Sequence, residues 1–349
     1  MKYERSLTRG DPDNNDPQNG RLPDDEAHGA SAHRHPLVRR ALQIGRVALI
    51  LAVLTGVVYA MISEWDGVVA TFRRLGALEI IGAVLCVVVG LICGAKTWQQ
   101  QLAAMGTKVK FTSAAQVNLV GQLGKYLGSG ALAILLQAQL GKRFKIPRAR
   151  ALVALMIAVG ISIVTALSLA VFIAARLAEE YGNWLWITAV GPVALVMVYP
   201  PLLSWIANVV LKMMRRVPMT TPMLPRPVAA SVGWAYASWF AFGLHLWLVS
   251  GAIAHQTLSG FISCIAAMAL AMAAGSVAFI LPGGIGVREA IIVAALAPIA
   301  SVQQALAIAL ASRILFSFGE LASAGSAALI SWRSIRRSEG ADHLAEQTH

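Results

Sequence analysis

An all-α, polytopic helical membrane bundle is the fold class this sequence predicts, with six full spans and two opposed re-entrant helical hairpins. Three observations predict it. Of the 349 residues 57% are hydrophobic and 13% charged, against roughly 25% charged in an ordinary globular chain, and the mean hydropathy is +0.65. The apolar residues fall into runs of about 20, the length that crosses roughly 30 Å of hydrocarbon. The basic residues, which give a net charge of +12, crowd between alternate runs. In a soluble protein that charge would point to nucleic acid; here it sets orientation, and no nucleic-acid partner is expected.

Residues 1–37 read as a disordered cytoplasmic tail, because seven acids and five bases with Pro, Gly and Asn leave almost nothing apolar to bury. The tail is not a signal peptide, since about 40 polar residues precede the first apolar stretch. His28, His33 and His35 belong to this solvated tail rather than to a metal tract. A transmembrane domain follows over 38–335, with spans near 42–62, 78–103, 151–177, 184–211, 229–254 and 303–331, and a short cytoplasmic tail over 336–349. Between the first two spans Trp65, Val68, Val69 and Phe72 recur at i, i+3, i+4 and i+7, the period of a helix lying in the interface, with a plain loop as the alternative.

Orientation follows from short-loop Lys and Arg, which cytoplasmic loops retain. One assignment keeps seventeen inside, at Arg39 to Arg46, Lys108 and Lys110, Lys142 to Arg150, Lys212 to Arg226 and Arg333 to Arg337. It leaves Arg73, Arg74 and Arg176 outside, so both termini are cytoplasmic. The expected location is the plasma membrane, the inner membrane of a bacterium.

The assignment works only if two broken apolar stretches each enter and leave on one side. The first, 111–141, is interrupted by Gly121, Gly124, Gly128 and Gly130; the second, 258–299, is interrupted over Leu281 to Gly286. Non-helical backbone at membrane depth is tolerated only where protein or a wet cavity covers it, so the glycine-rich tips are expected to line a cavity. Tyr126 to Gly130 aligns with Ile280 to Gly284 at an offset of 154 residues, which would relate the breaks as an inverted repeat around a central site.

Ionisable groups at membrane depth cost free energy, so each needs a reason. Lys125 lies in the first break and Arg288 just after the second. Two cations beside glycine-exposed amides and the helix start at Val287 suit an anion such as phosphate; the alternative is that each pairs with Glu289 or Glu320, or snorkels. The expected head-group site is Lys125 and Arg288 with Gly128, Ser129, Gly130, Pro282, Gly283, Gly284 and Gly286. Arg313 and Glu320, seven apart, share a helix face, and with Glu289 they are read as structural ion pairs, Glu289 to Arg313, that hold the second hairpin against the last span. His245 is read as a hydrogen-bonded core histidine and Lys96 as a snorkelling cation.

Catalytic and cofactor patterns are absent. GGIGVRE follows an apolar membrane segment instead of opening a βαβ unit, and GxxxxGK[ST], HExxH and GxSxG do not occur. Cys86, Cys93 and Cys264 lie in apolar runs without metal-ligand or disulfide spacing. No cofactor, no metal and no enzymatic activity are expected.

LPGGIGVREA at 281–290, with GQLGKYLGSG at 121–130, resembles the lysylphosphatidylglycerol synthase transmembrane-region family, also called flippase-like membrane proteins, over roughly residues 40–335. Members often carry proline in the first break, where this chain has Gly128. The resemblance implies a bundle that handles anionic or polyprenyl-linked lipids and, in some members, flips an aminoacylated phospholipid made by a separate C-terminal domain. Only about 18 residues follow the last span here, so a chain without synthase activity is expected. The leading expectation is therefore a non-enzymatic protein that binds an anionic phospholipid or polyprenyl-phosphate-linked lipid and moves it between leaflets. Two alternatives stand beside it: a non-catalytic scaffold subunit partnering an envelope glycosyltransferase or lipid-modifying enzyme, and a membrane enzyme on a lipid-linked substrate. The sequence leaves the oligomeric state open.

Overall fold

The computed structural model describes residues 55–56, 58–59, 62–126, 130–181, 196–252, 257–277, 284 and 286–346, and over 130–131, 172–181 and 331–346 it describes the course of the helix alone. The chain divides between Gly45 and Arg46, and every described residue belongs to the second unit. The tail at 1–37 and most of the first expected span, 42–62, lie outside the described residues.

The first complete helix, α1 (Trp65–Arg74), is the amphipathic segment between the first two expected spans. Its Val68 and Thr71 are buried while Trp65 is exposed, and Gly67 lets it sit on Ala307. The next helix, α2 (Ala77–Ala104), starts where the Gly76 N–H donates to Glu79 Oε2 at 2.7 Å, a carboxylate closing an otherwise unsatisfied N-terminus.

The first broken stretch folds back on itself. Its first arm is α3 (Phe111–Ala115), continued by a π-helical turn over Gln116–Val120 and a 3-10 turn over Leu123–Lys125; its second is α4 (Gly130–Arg143). A Cβ at Gly124 would stand 2.6 Å from the Ala133 Cα, so glycine is what lets the two arms touch through their backbones. The first arm begins and the second ends beside the loops carrying Lys108, Lys110, Lys142 and Lys145, the basic end of the bundle. The tip reaches Leu91, halfway along α2.

Helix α5 (Arg148–Tyr181) rises from that end, α6 (Pro200–Met213) returns to it, and α7 (Pro225–Ser250) rises again. Pro200 and Pro225 open their helices where a missing N–H costs nothing. Of the expected fourth span, 184–211, only residues 196–211 are described. Helix α7 lies antiparallel to α2: the Ser238 hydroxyl donates to the Gly90 carbonyl at 2.9 Å, and the Gln101 amide donates to the Ser231 hydroxyl. Helix α5 joins the pair through Trp239 Nε1 to Thr165 Oγ1 at 2.9 Å.

The second broken stretch enters from the opposite end as α8 (Leu258–Val277) and returns as α9 (Val287–Leu296). Its arms are unequal, since α8 is 20 residues long and alone meets the length and hydropathy needed to cross a membrane. The last helix, α10 (Val302–Glu346), runs down to the basic end and continues as helix through the segment expected to be a short tail. Among the described residues five helices are long and apolar enough to cross: α2, α5 to Val171, α7, α8, and α10 to Ile330.

Two buried cores hold these helices. One joins Leu246, Met268, Ile292, Ile308 and Phe316 across α7, α8, α9 and α10. The other, toward the basic end, joins Trp98, Leu102, Ile161 and Leu203 across α2, α5 and α6. In lipid no hydrophobic force drives helices together, so close van der Waals approach must; Ala266, Ala267, Ala269 and Ala271 on α8 are all fully buried and provide it.

Candidate functional site

Helix α10 presents Arg313, Phe316 and Glu320 at i, i+3 and i+7, one stripe of one face. Each receives a different residue from the two hairpins.

At the upper position Arg313 pairs with Glu289 of α9 at 3.3 Å. The other oxygen of the same carboxylate accepts the Gly286 N–H at 2.7 Å, so Glu289 both closes the N-terminus of α9 and ties it to α10. The local backbone demands glycine: φ is +87° at Gly286 and +65° at Gly284, values that an L side chain adopts only under strain. Gly284 also lies against the Gly275 backbone of α8, where its Cβ would stand 2.7 Å from the Gly275 Cα. The break is thus a backbone-to-backbone contact between the two arms.

At the middle position the Arg288 guanidinium stacks on the Phe316 ring, 4.0 Å from its centroid. Its one hydrogen-bond acceptor among the described residues is the Met268 sulfur at 4.0 Å, a weak one. Arg288 is 5% exposed, and no carboxylate lies within ion-pair distance of it among the described residues. Phe316 is held in turn by Phe242, at 5.0 Å between centroids, and by the edge of His245. His245 is fully buried and bridges the Ala83 carbonyl at 3.0 Å and the Ser312 hydroxyl at 2.9 Å, spanning α2, α7 and α10.

At the lower position Glu320, buried, binds the tip of the first hairpin through the Lys125 ammonium and the Tyr126 hydroxyl. Gln122 Nε2 donates to Asn118 Oδ1 at 2.8 Å and stiffens the turn below the tip. A narrow cleft of about 10 Å³ opens here, lined by Leu91, Leu119, Gln122, Lys125, Tyr126 and Glu320. At Leu119 it adjoins an apolar groove of about 180 Å³ between α2, the first hairpin arm and α10, which runs past Ile92, Ala115 and Ala327 to Ile330.

The structure therefore gives the two cations that the sequence sets side by side different surroundings: Lys125 has a carboxylate, and Arg288 has an aromatic face. Both, with Tyr126 and Arg313, lie within electrostatic reach of one cluster in which three cations face two carboxylates. Gly130 opens α4, whereas Gly128, Ser129, Pro282 and Gly283 lie outside the described residues. Lys96 sits 4.1 Å from the Phe111 ring centroid, away from the cluster. Sequence reasoning missed Tyr126 and Phe316. The signal for Tyr126 was its place beside Lys125 in the break; that for Phe316 was its i+3 spacing from Arg313. Among the described residues no group of His, Cys, Asp and Glu is placed to hold a metal.

No curated protein matches the chain. A family model described as "Lysylphosphatidylglycerol synthase TM region" matches residues 44–318, a range that includes both hairpins, Arg288, Glu289 and Arg313 and stops just short of Glu320. With both broken stretches and the Arg-Glu pair inside the match, the chain belongs to the lysylphosphatidylglycerol synthase TM region family, a family of membrane domains.

Proposed function

We propose that this integral membrane protein binds the phosphate-bearing head group of an anionic lipid at Arg288 and passes the lipid between leaflets, without catalysing a reaction on it. One observation carries the reading: Arg288 is a buried guanidinium with no carboxylate within ion-pair distance among the described residues, in a cluster where three cations face two carboxylates. A net positive charge at membrane depth is costly, and the cation–π contact with Phe316 offsets about 2 kcal/mol of that cost. A phosphate oxygen pair fits a guanidinium fork in two parallel hydrogen bonds. The apolar groove of about 180 Å³ that meets the Lys125 cleft at Leu119 suits a hydrocarbon chain. Two hairpins that meet one helix from opposite ends suit a site reached in turn from either leaflet. The basic end faces the cytoplasm, with both termini, in the plasma membrane.

The test is native mass spectrometry of the purified chain with phosphatidylglycerol. Arg288→Gln should weaken lipid retention at least thirtyfold, because truncating a buried charge pair costs about 2–5 kcal/mol, while Lys96→Gln should bind like the parent. Equal retention by Arg288→Gln and the parent, with both folded by thermal melting, would overturn the reading in favour of a scaffold role.

A further inference from the structure

Glu320 is the one carboxylate of the cluster held to the first hairpin rather than to the second. Its oxygens accept from Lys125 and Tyr126, and the Lys125 side chain is 23% exposed toward the cleft. An anionic head group arriving at the mouth of that cleft meets a cation that already has a counter-ion. The arriving negative charge and the Glu320 carboxylate would then share one poorly solvated space and repel each other.

We infer that Glu320 is a proton-binding counter-ion which the anionic head group displaces from Lys125, so that each lipid anion loaded brings one proton with it. This rests on the lipid-binding reading above. The Glu320 carboxylate takes one proton from water in the cleft and becomes a neutral acid; the Lys125 ammonium, released, donates to a phosphate oxygen instead. No covalent bond other than that O–H forms, and unloading reverses the step. Tyr126 keeps the neutral acid satisfied, because a phenol hydroxyl can accept from the acid O–H as readily as it donates to the carboxylate. Charge balance favours the exchange: an anion and a proton together leave the single net positive charge of the cluster unchanged, so the loaded and empty sites carry equal charge through the membrane.

The groups facing Glu320 are few. Lys125 and Tyr126 come from the first hairpin and Arg288 from α9, with Arg313 farther up its own helix; α2 contributes the apolar Leu91 to the cleft. On α7, His245 lies within reach of Arg288 and is engaged by Ala83 and Ser312; a variant confined to Glu320 separates the two titrations.

Binding of phosphatidylglycerol to the full chain in detergent, measured from mildly acidic to mildly alkaline pH, tests the inference, since this phosphodiester stays a monoanion throughout. Uptake of one proton on binding makes affinity fall by about tenfold per pH unit as pH rises. The parent and Glu320→Asp should show that slope, and Glu320→Gln should bind at every pH with none. Proton uptake measured directly in weakly buffered parent protein should be one per lipid bound, a readout that needs no variant. Binding by the parent with no proton uptake, or an unchanged slope in Glu320→Gln, overturns the inference while leaving the lipid site standing; a parent that binds no phosphatidylglycerol at any pH overturns both.

Discussion

Replacing either glycine of the contact between α8 and α9 by alanine should have opposite consequences, although the two residues touch each other. Gly284 has a φ of +65°, and its added Cβ would stand 2.7 Å from the Gly275 Cα and 3.2 Å from the Gly275 carbonyl oxygen. The left-handed conformation costs an L residue about 1–2 kcal/mol. Overpacking against backbone, which has no rotamer to yield, adds about 1–3 kcal/mol. Gly275 is an ordinary helical residue whose Cβ would meet Gly284 at 3.6 Å, a normal contact, and alanine in a helix gains about 0.5–1 kcal/mol over glycine. Gly284→Ala should therefore lose about 2–5 kcal/mol, and Gly275→Ala should be neutral or slightly stabilising. At roughly 2 °C per kcal/mol for a chain of this size, thermal unfolding in detergent followed by tryptophan fluorescence should show Gly284→Ala melting about 4–10 °C below the parent. Gly160→Ala, with open space around the new methyl, is the control for the assay. Equal melting of Gly284→Ala and the parent would refute the backbone contact and with it the account of the break.

Two further outcomes are expected. Alkaline phosphatase fused after Ile146 or after Pro218 should be inactive, because both points lie among the basic loops that cytoplasmic retention requires; activity at either would invert the orientation. Glu289→Ala should destabilise by about 2–4 kcal/mol, since it removes the 3.3 Å charged contact to Arg313 and strips the cap from α9. Adding Arg313→Ala should recover part of that loss, giving a double-mutant cycle that is far from additive in chemical-denaturation melts.

Much of the architecture is local in origin, which is why it can be read along the chain. Spans follow from apolar runs long enough for the bilayer, and the two breaks from glycines at membrane depth. The reach-back of Glu289 to Gly286 follows from a three-residue spacing. The same spacing, Gly76 to Glu79, starts α2. Longer-range lengths are less legible. Hydropathy marks 258–299 as a broken stretch, but the inequality of its arms depends on where the turn between them falls.

By itself the sequence determined that Lys125, Arg288, Glu289, Arg313 and Glu320 must answer for their charge inside a membrane, and that Arg313 and Glu320 share a helix face. Periodicity assigns residues to faces; it does not say which face of which helix comes next. That decision came only with tertiary structure, where close backbone packing brings the first hairpin to Glu320 across 195 positions of chain and the second to Arg313 and Phe316. The result separates two cations that the sequence treats alike. Lys125 is paired with Glu320 and Arg288 rests on the Phe316 ring, because Arg313 takes Glu289 and the first hairpin brings Lys125, not Arg288, to Glu320.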